Sequence, residues 1–503
     1  MRRPQRRFVA ASVLSFLALV VVGALHAEDR DDHGPNFLPN GMHFPNENGT
    51  SQTISSAGRV NLTGPFFQSL GTNGRACVTC HEPSDGMSVS AAHVQDRFDV
   101  TQGRDPIFRT NDGSNCDSSP VATLAQRRSS YSLLRTRGLI RVAINVPTSG
   151  SNAADYTVTA NDNQYGCTST SNISEYRRPL PSTNLRFLSA VMWDGRESSP
   201  LTGNVPITFA TAAAALNADL KDQSNGATRG HAQGTTDLPQ SVRQKIVDFE
   251  MSLTTAQATT RGVGNLSADG ASGGVDALTG QNFFISINSS VHPLDGTRET
   301  PGGLNLPGDN IFDQRIFDIF GAWAGLPSRS PRAAIARGQT IFNTLPIVIT
   351  GVAGINDDAA AGGIVPGGVP AFTGTCGTCH DTPNVGNHSF ATPLNIGTGD
   401  PDPSSPNVNL GGLDISYLPR ITVCKGSNCT TTTDLGQALI DGRYDHVGKI
   451  KGPILRGLST RAPYFHNGSA RTLLDAVKFY ERRFHFTLTV QAESDLVAFL
   501  GSL

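Results

Sequence analysis

Two five-residue segments carry the chemistry most easily read from this 503-residue chain: Cys77-Val78-Thr79-Cys80-His81 and Cys376-Gly377-Thr378-Cys379-His380. Two thiols three residues apart can each add to one vinyl group of a haem, while the adjoining histidine is held under the iron as proximal ligand. Residue frequencies put the chance expectation of one such motif at about 0.003 in this composition, so two are not accidental. A zinc site would call for more clustered Cys and His ligands, and a redox dithiol has no need of histidine directly after each pair. The residues imply two covalently bound haems c, attached at Cys77, Cys80, Cys376 and Cys379 and ligated by His81 and His380.

The sixth ligand decides whether such an iron passes electrons or binds a small molecule. The methionines are Met1, Met42, Met87, Met192 and Met251, so none follows residue 251 to serve the C-terminal haem. Its candidates are His388, His446, Lys449 and His466. His466 is favoured because it stands in a turn, Ala462-Pro-Tyr-Phe-His-Asn-Gly468, just before a capped helix; its plainer role is a hydrogen bond to a propionate or the backbone. For the N-terminal haem the nearby candidates are Met87, close to His81 in sequence, and His93, which reads equally as a surface residue. The expectation there is an open or weakly filled position, able to take peroxide or dioxygen.

These groups need a scaffold. With 53 Gly, 30 Pro and only 16% charged residues, the composition points to a compact core wrapped by long loops. Forty basic residues against 42 acidic ones give no sign of a nucleic-acid partner. Helical spacing places Val242, Ile246, Phe249 and Leu253 on one face after Pro239, and a second amphipathic helix over Ala333 to Phe342. Thr472 and Thr489 read as caps of two last helices, while 347–369 reads as a loop. The expected fold is mainly α with long loops: two cytochrome c-like haem domains, 28–325 and 326–503, the first carrying insertions at about 95–178 and 255–310. The terminal helix would pack on the helix bearing the second CxxCH.

Residues 1–27 have a signal-peptide layout, Arg-rich then apolar from Phe8 to Leu25, with a retained membrane anchor as the alternative. Export to the periplasm agrees with cysteine usage. Outside the two motifs stand Cys116, Cys167, Cys424 and Cys429, each in a polar stretch that a covalent staple would secure, and the expected disulfides are Cys116–Cys167 and Cys424–Cys429.

Three further segments carry a resemblance: Met192-Trp-Asp-Gly-Arg196, Lys451-Gly-Pro-Ile-Leu-Arg456 and Ala462-Pro-Tyr-Phe-His-Asn-Gly-Ser469 followed by Thr472-Leu473. Together with the paired CxxCH, they resemble the WDGR, KxPxLRN and PYFHNG-like segments of the bacterial dihaem cytochrome c peroxidase and MauG family. The order agrees over roughly residues 70 to 503 outside the insertions, with Gly457 standing where the family has Asn. The resemblance implies that Trp193 lies between the haems and relays electrons. It implies that Asn184 sits near an interdomain calcium ion and that His231 replaces the glutamate of the peroxide pocket; Trp193, Arg196 and His231 are the candidate catalytic residues. Family peroxidases place a Met just before KxPxLRN, where this chain has Lys449, a departure closer to MauG or to a dihaem rubber oxygenase.

Three functions follow as expectations. One is a periplasmic peroxidase acting on hydrogen peroxide, with a small cytochrome c or cupredoxin as electron donor. Another is a MauG-like or oxygenase-like enzyme using peroxide or dioxygen on a protein or organic substrate. The last is a non-catalytic electron carrier. A homodimer is kept among the expected partners.

Overall fold

In a computed structural model that describes residues 36–188, 190–197, 213–281, 304–306, 310–312, 315–358, 368–388 and 393–503, each CxxCH motif forms a single 3-10 turn, Cys77–Thr79 and Cys376–Thr378. A threonine closes each turn: Thr79 Oγ1 accepts from Ala76 N at 3.0 Å, and Thr378 Oγ1 from Thr375 N at 2.9 Å. So short a turn cannot aim its own side chains. The elements packed around it must do so.

Those elements are not mainly helical. Helix accounts for 30% and strand for 20% of the structure, and the strands among the described residues form several small sheets, so the fold is mixed α/β. The expectation of a mainly α fold failed for a physical reason. Segments without a 3.6-residue apolar period were read as loops, yet many are rich in β-branched threonine, which favours extended backbone. The largest sheet orders His43–Asn46, Gly49–Ser55, Leu253–Thr260 and Gly264–Asn265. Thr50 with Thr259 and Thr53 with Thr255 hydrogen-bond across it at 2.7 Å each.

The helices form where apolar spacing put them: Gln240–Ser252, Pro331–Thr344, Leu473–Arg483 and Val490–Leu500. Thr472 Oγ1 accepts from Asp475 N at 3.1 Å, while the Asp475 carboxylate accepts from Thr472 N at 3.0 Å. Replacing Thr472 by Ala is expected to cost about 1 kcal/mol, read as a lower urea midpoint. The terminal helix packs on Pro331–Thr344 rather than on a helix bearing CxxCH. Contact is that close because Gly338 has no side chain; a Cβ there would lie 2.0 Å from Asp495 O.

The 95–178 segment is built structure. Its two-stranded antiparallel sheet pairs Ile140–Asn145 with Asn172–Arg177, and the strand between them, Thr157–Asp162, pairs with Arg420–Lys425 of the C-terminal half. Both expected disulfides are present, Cys116–Cys167 and Cys424–Cys429. Leu266 and Ala271, from the second insertion, share one core with Phe317, Phe320, Trp323 and Phe499, so packing runs across the boundary drawn at 326. The start of the 347–369 loop is a strand, Ile347–Thr350, paired with Ala371–Gly374. The leader and anchor readings of 1–27 lie outside the described residues, as does 282–303. Among the described residues no helix is long and apolar enough to cross a membrane.

Candidate functional site

Cys77, Cys80 and His81 line one cavity. The His81 ring is held from behind, with Nδ1 3.1 Å from the Met87 carbonyl and 3.1 Å from Ser182 Oγ. A carbonyl only accepts, so Nδ1 carries the hydrogen and Nε2 keeps its lone pair, the tautomer a metal-bound imidazole requires. His380 repeats the arrangement, with Nδ1 2.8 Å from the Gly386 carbonyl.

All four CxxCH thiols are unpaired. Burial pushes Cys80 up to about 11 and Cys77, Cys376 and Cys379 up to about 12. A dithiol oxidoreductase depends on a lowered thiol pKa, so that chemistry does not fit. Nor, among the described residues, does either pair belong to a cluster of three His, Cys, Asp or Glu ligand atoms, as a zinc site would need.

The Ala213–Gly230 helix turns Leu220, Gln223, Ser224, Ala227 and Thr228 toward the first cavity, three and one residues apart in turn, and His231 continues the stripe. His231 Nδ1 lies 2.5 Å from Asp112 Oδ2, and Arg75 clasps the same carboxylate. Burial alone would raise Asp112, but Arg75 and His231 hold it below the ordinary carboxylate value. The carboxylate fixes Nδ1 as donor and leaves Nε2 as the ring atom able to exchange a proton. Asp112 lies in the segment read as an insertion, 119 residues from His231, and no local spacing signals the pair. Arg196 also lines this cavity, 3.3 Å from Asp194. Sequence reasoning likewise missed Glu250 and Ser182, which line the same cavity.

The second cavity holds Cys376, Cys379 and His380 with His388, His466 and Lys451 among largely apolar walls. His466 is buried; its Nε2 lacks a hydrogen-bond partner and stands 3.7 Å from Asp434 Oδ2, while Nδ1 is 3.4 Å from Thr398 Oγ1. Burial lowers its pKa to about 4, so the ring is neutral. His388 Nδ1 lies 3.2 Å from the Cys379 carbonyl. Lys449 and His446, also candidates, do not line the cavity. Lys449 lies toward Asp357, Asp445 and Asp358, and His446 Nδ1 is 2.6 Å from Asp441. The lysine that does face it is Lys451, whose Nζ donates to the Gly452 carbonyl at 3.4 Å and whose pKa burial lowers to about 8.

One wall is common to both cavities: Arg178, Pro179, Leu180, Pro181 and Trp193. Trp193 Nε1 donates to the Arg178 carbonyl at 2.7 Å, and its own carbonyl accepts from Lys451 N at 2.7 Å. Its ring meets that of His466 edge-on, 6.0 Å between centroids. Behind this wall Arg177 reaches Asp434 through Nε and Nη2 at 2.6 and 2.7 Å and Asp194 through Nη1 at 2.5 Å. Arg177→Met would leave the buried Asp434 carboxylate without its arginine and Asp194 with Arg196 alone, 3.3 Å away. A loss of about 3–5 kcal/mol in urea unfolding is expected.

Two other candidates lie elsewhere. Met87 is fully buried in the core beside the motif, its carbonyl accepting from His81 Nδ1, and His93 Nδ1 lies 2.6 Å from Asp85; neither lines the first cavity. Asn184 is buried with both ends of its carboxamide on the Thr255 peptide: Nδ2 donates to Thr255 O at 2.8 Å and Oδ1 accepts from Thr255 N at 3.1 Å. The side chain clamps a loop to a strand, and no acidic cluster gathers around it among the described residues. These residues do not fit a calcium ion.

They do fit haem. Each cavity joins two thiols, an oriented neutral imidazole and apolar walls. Among the described residues, Arg178, Lys451 and Arg461 line the second cavity with only carbonyl oxygens as hydrogen-bond partners. Buried cations need anions, and the two propionates of a haem would supply them.

No family model matches the chain, and no curated protein does. One solved structure with detectable similarity is hydrazine synthase of Kuenenia stuttgartiensis pressurised with 20 bar xenon, at 16% identity over 82% of this chain and 93% of that chain, TM-score 0.30. A likeness that slight carries no argument, and the chemistry rests on the residues themselves.

Proposed function

We propose that this is a periplasmic dihaem c-type oxidoreductase of peroxidase type, reducing hydrogen peroxide at the N-terminal cavity with electrons supplied on the C-terminal side by a small cytochrome c or cupredoxin. The observation that carries it is the wall shared by two CxxCH cavities, with Trp193 facing both. Haem, when bound, supplies one-electron chemistry and a coordination position for peroxide. Turning one peroxide into two waters takes two electrons and two protons. His231 holds a proton at Nε2 for that purpose, oriented by Asp112 through Nδ1. Trp193 places an oxidisable indole, fixed by its Nε1 hydrogen bond, where an electron crosses from one cavity to the other. His466 offers a neutral imidazole to the second iron, and the two disulfides suit an oxidising compartment.

A second reading is oxidation of an organic or protein substrate, in the manner of MauG or a rubber oxygenase. It is favoured by the apolar side chains of the first cavity, among them Leu70, Ile140, Val142, Leu180 and Leu220. Low-temperature EPR of the oxidised protein, followed by peroxide, tests both. A high-spin signal that peroxide alters is expected, beside a low-spin signal that changes in His466→Ala. Absence of high-spin haem, with no spectral response to peroxide or dioxygen, would leave only an electron carrier. Reaction with peroxide but no turnover of a reduced cytochrome would favour the second reading. An unaltered low-spin signal in His466→Ala would remove that ligand.

A further inference from the structure

We propose that the ammonium of Lys451 raises the reduction potential of the C-terminal haem, so that this haem accepts electrons in a domain without methionine. The inference rests on the reading of Cys376–His380 as a haem site. A thioether ligand raises the potential of a c-type haem, and no methionine follows residue 251. The wall of the second cavity holds a different means. Lys451 lines it together with Cys376 and Cys379 and is 2% exposed. Its backbone is fixed at the shared wall, Lys451 N donating to the Trp193 carbonyl at 2.7 Å. Its amine, with three N–H donors to place, donates to the Gly452 carbonyl at 3.4 Å, beyond the usual hydrogen-bond length. Burial lowers its pKa to about 8, which leaves the amine charged at neutral pH.

The charges around this cavity do not cancel. Arg178, Lys451 and Arg461 line it, and among the described residues no Asp or Glu does. Set against these three cations, the two propionates of a haem leave one positive charge in excess. The arginines are already met by carbonyl dipoles: Arg178 donates to the Arg137, Val89 and Arg461 carbonyls at 2.6, 2.6 and 2.9 Å, and Arg461 to the Arg456 and Ile454 carbonyls at 2.8 and 2.5 Å. Asp434, beside His466, is taken by Arg177. Lys451 is therefore the least compensated of the three. Ferric haem carries one positive charge more than ferrous haem, so a cation held in the wall favours the ferrous form, and burial leaves that repulsion weakly screened. The first cavity has no counterpart: among the described residues no lysine lines it, and Arg75, Arg177 and Arg196 each meet a carboxylate. A buried ammonium with so few acceptors costs stability, so folding alone does not explain it.

Spectroelectrochemical titration of the full-length, haem-loaded protein tests this, with the two haems told apart by EPR of samples frozen at each potential. Lys451→Met and Lys451→Gln both remove the charge, and the second keeps a hydrogen-bond donor. Each is expected to lower the C-terminal potential, shifting the ferric-to-ferrous ratio at fixed potential about tenfold, or about 59 mV for a one-electron couple. The N-terminal haem should not move, and Lys451→Arg, which keeps the charge, should stay close to the wild-type value. Wild-type potentials in both neutral variants, a shift in Lys451→Met alone, or equal shifts at both haems would overturn the role of the charge with the haem reading intact. A wild-type chain that carries no haem at Cys376 and Cys379 would remove the reading and the inference together.

Discussion

A chain with serine at both 77 and 80 is expected to carry one covalently held haem instead of two, counted by the pyridine haemochrome and by intact mass. The effect is all-or-none because a hydroxyl cannot form the thioether, and the two motifs sit in separate cavities, so neither can substitute for the other. His81 would still have its Nδ1 hydrogen bonds, but an imidazole alone does not keep haem through denaturation. Two covalent haems in the variant would show that attachment lies elsewhere. Serines at 376 and 379 should give the mirror result and leave the N-terminal haem in place.

The second large effect concerns His231. Its replacement by Ala should slow reaction with peroxide by about 10²–10⁴-fold, the range for a lost general acid–base group, in a stopped-flow experiment with both haems present. Asp112→Asn keeps the imidazole and loses the charge that orients it, so its rate should fall between wild type and His231→Ala. If His231→Ala reacts at the wild-type rate, the proton is handled elsewhere. The assignment to this cavity would then fall.

Much of the site was legible because covalent chemistry fixes spacing. CxxCH cannot vary by one residue and still work, so Cys77, Cys80, His81, Cys376, Cys379 and His380 are readable without a structure. Trp193 and His466 were reached through the motifs that hold them, and both line the cavities. Asp112, Ser182 and Glu250 were not. Each enters from a distant segment, Ser182 being 101 residues from His81 and Asp112 119 from His231, and such meetings leave no local pattern. Lys449 was a candidate because it stands just before the Lys451–Arg456 segment, where the family peroxidases have Met, whereas contact with the cavity depends on how an extended segment turns its side chains. The helices were legible from their 3.6-residue period and caps. Strands such as Gly49–Ser55 and Leu253–Thr260 were not, because threonine on both faces blurs the alternation on which strand recognition depends.

The sheet shared by Thr157–Asp162 and Arg420–Lys425 also sets an order of assembly. Thr159 and Thr422 are 263 residues apart, so at ordinary synthesis rates the first strand exists for roughly 10 to 50 s before its mate is made. During that interval the N-terminal half presents an unpaired strand edge, the kind of surface that recruits the wrong neighbour. Any chain ending before residue 420 keeps that edge for good. Premature stops shortly before residue 420 should therefore yield insoluble material rather than a working N-terminal half.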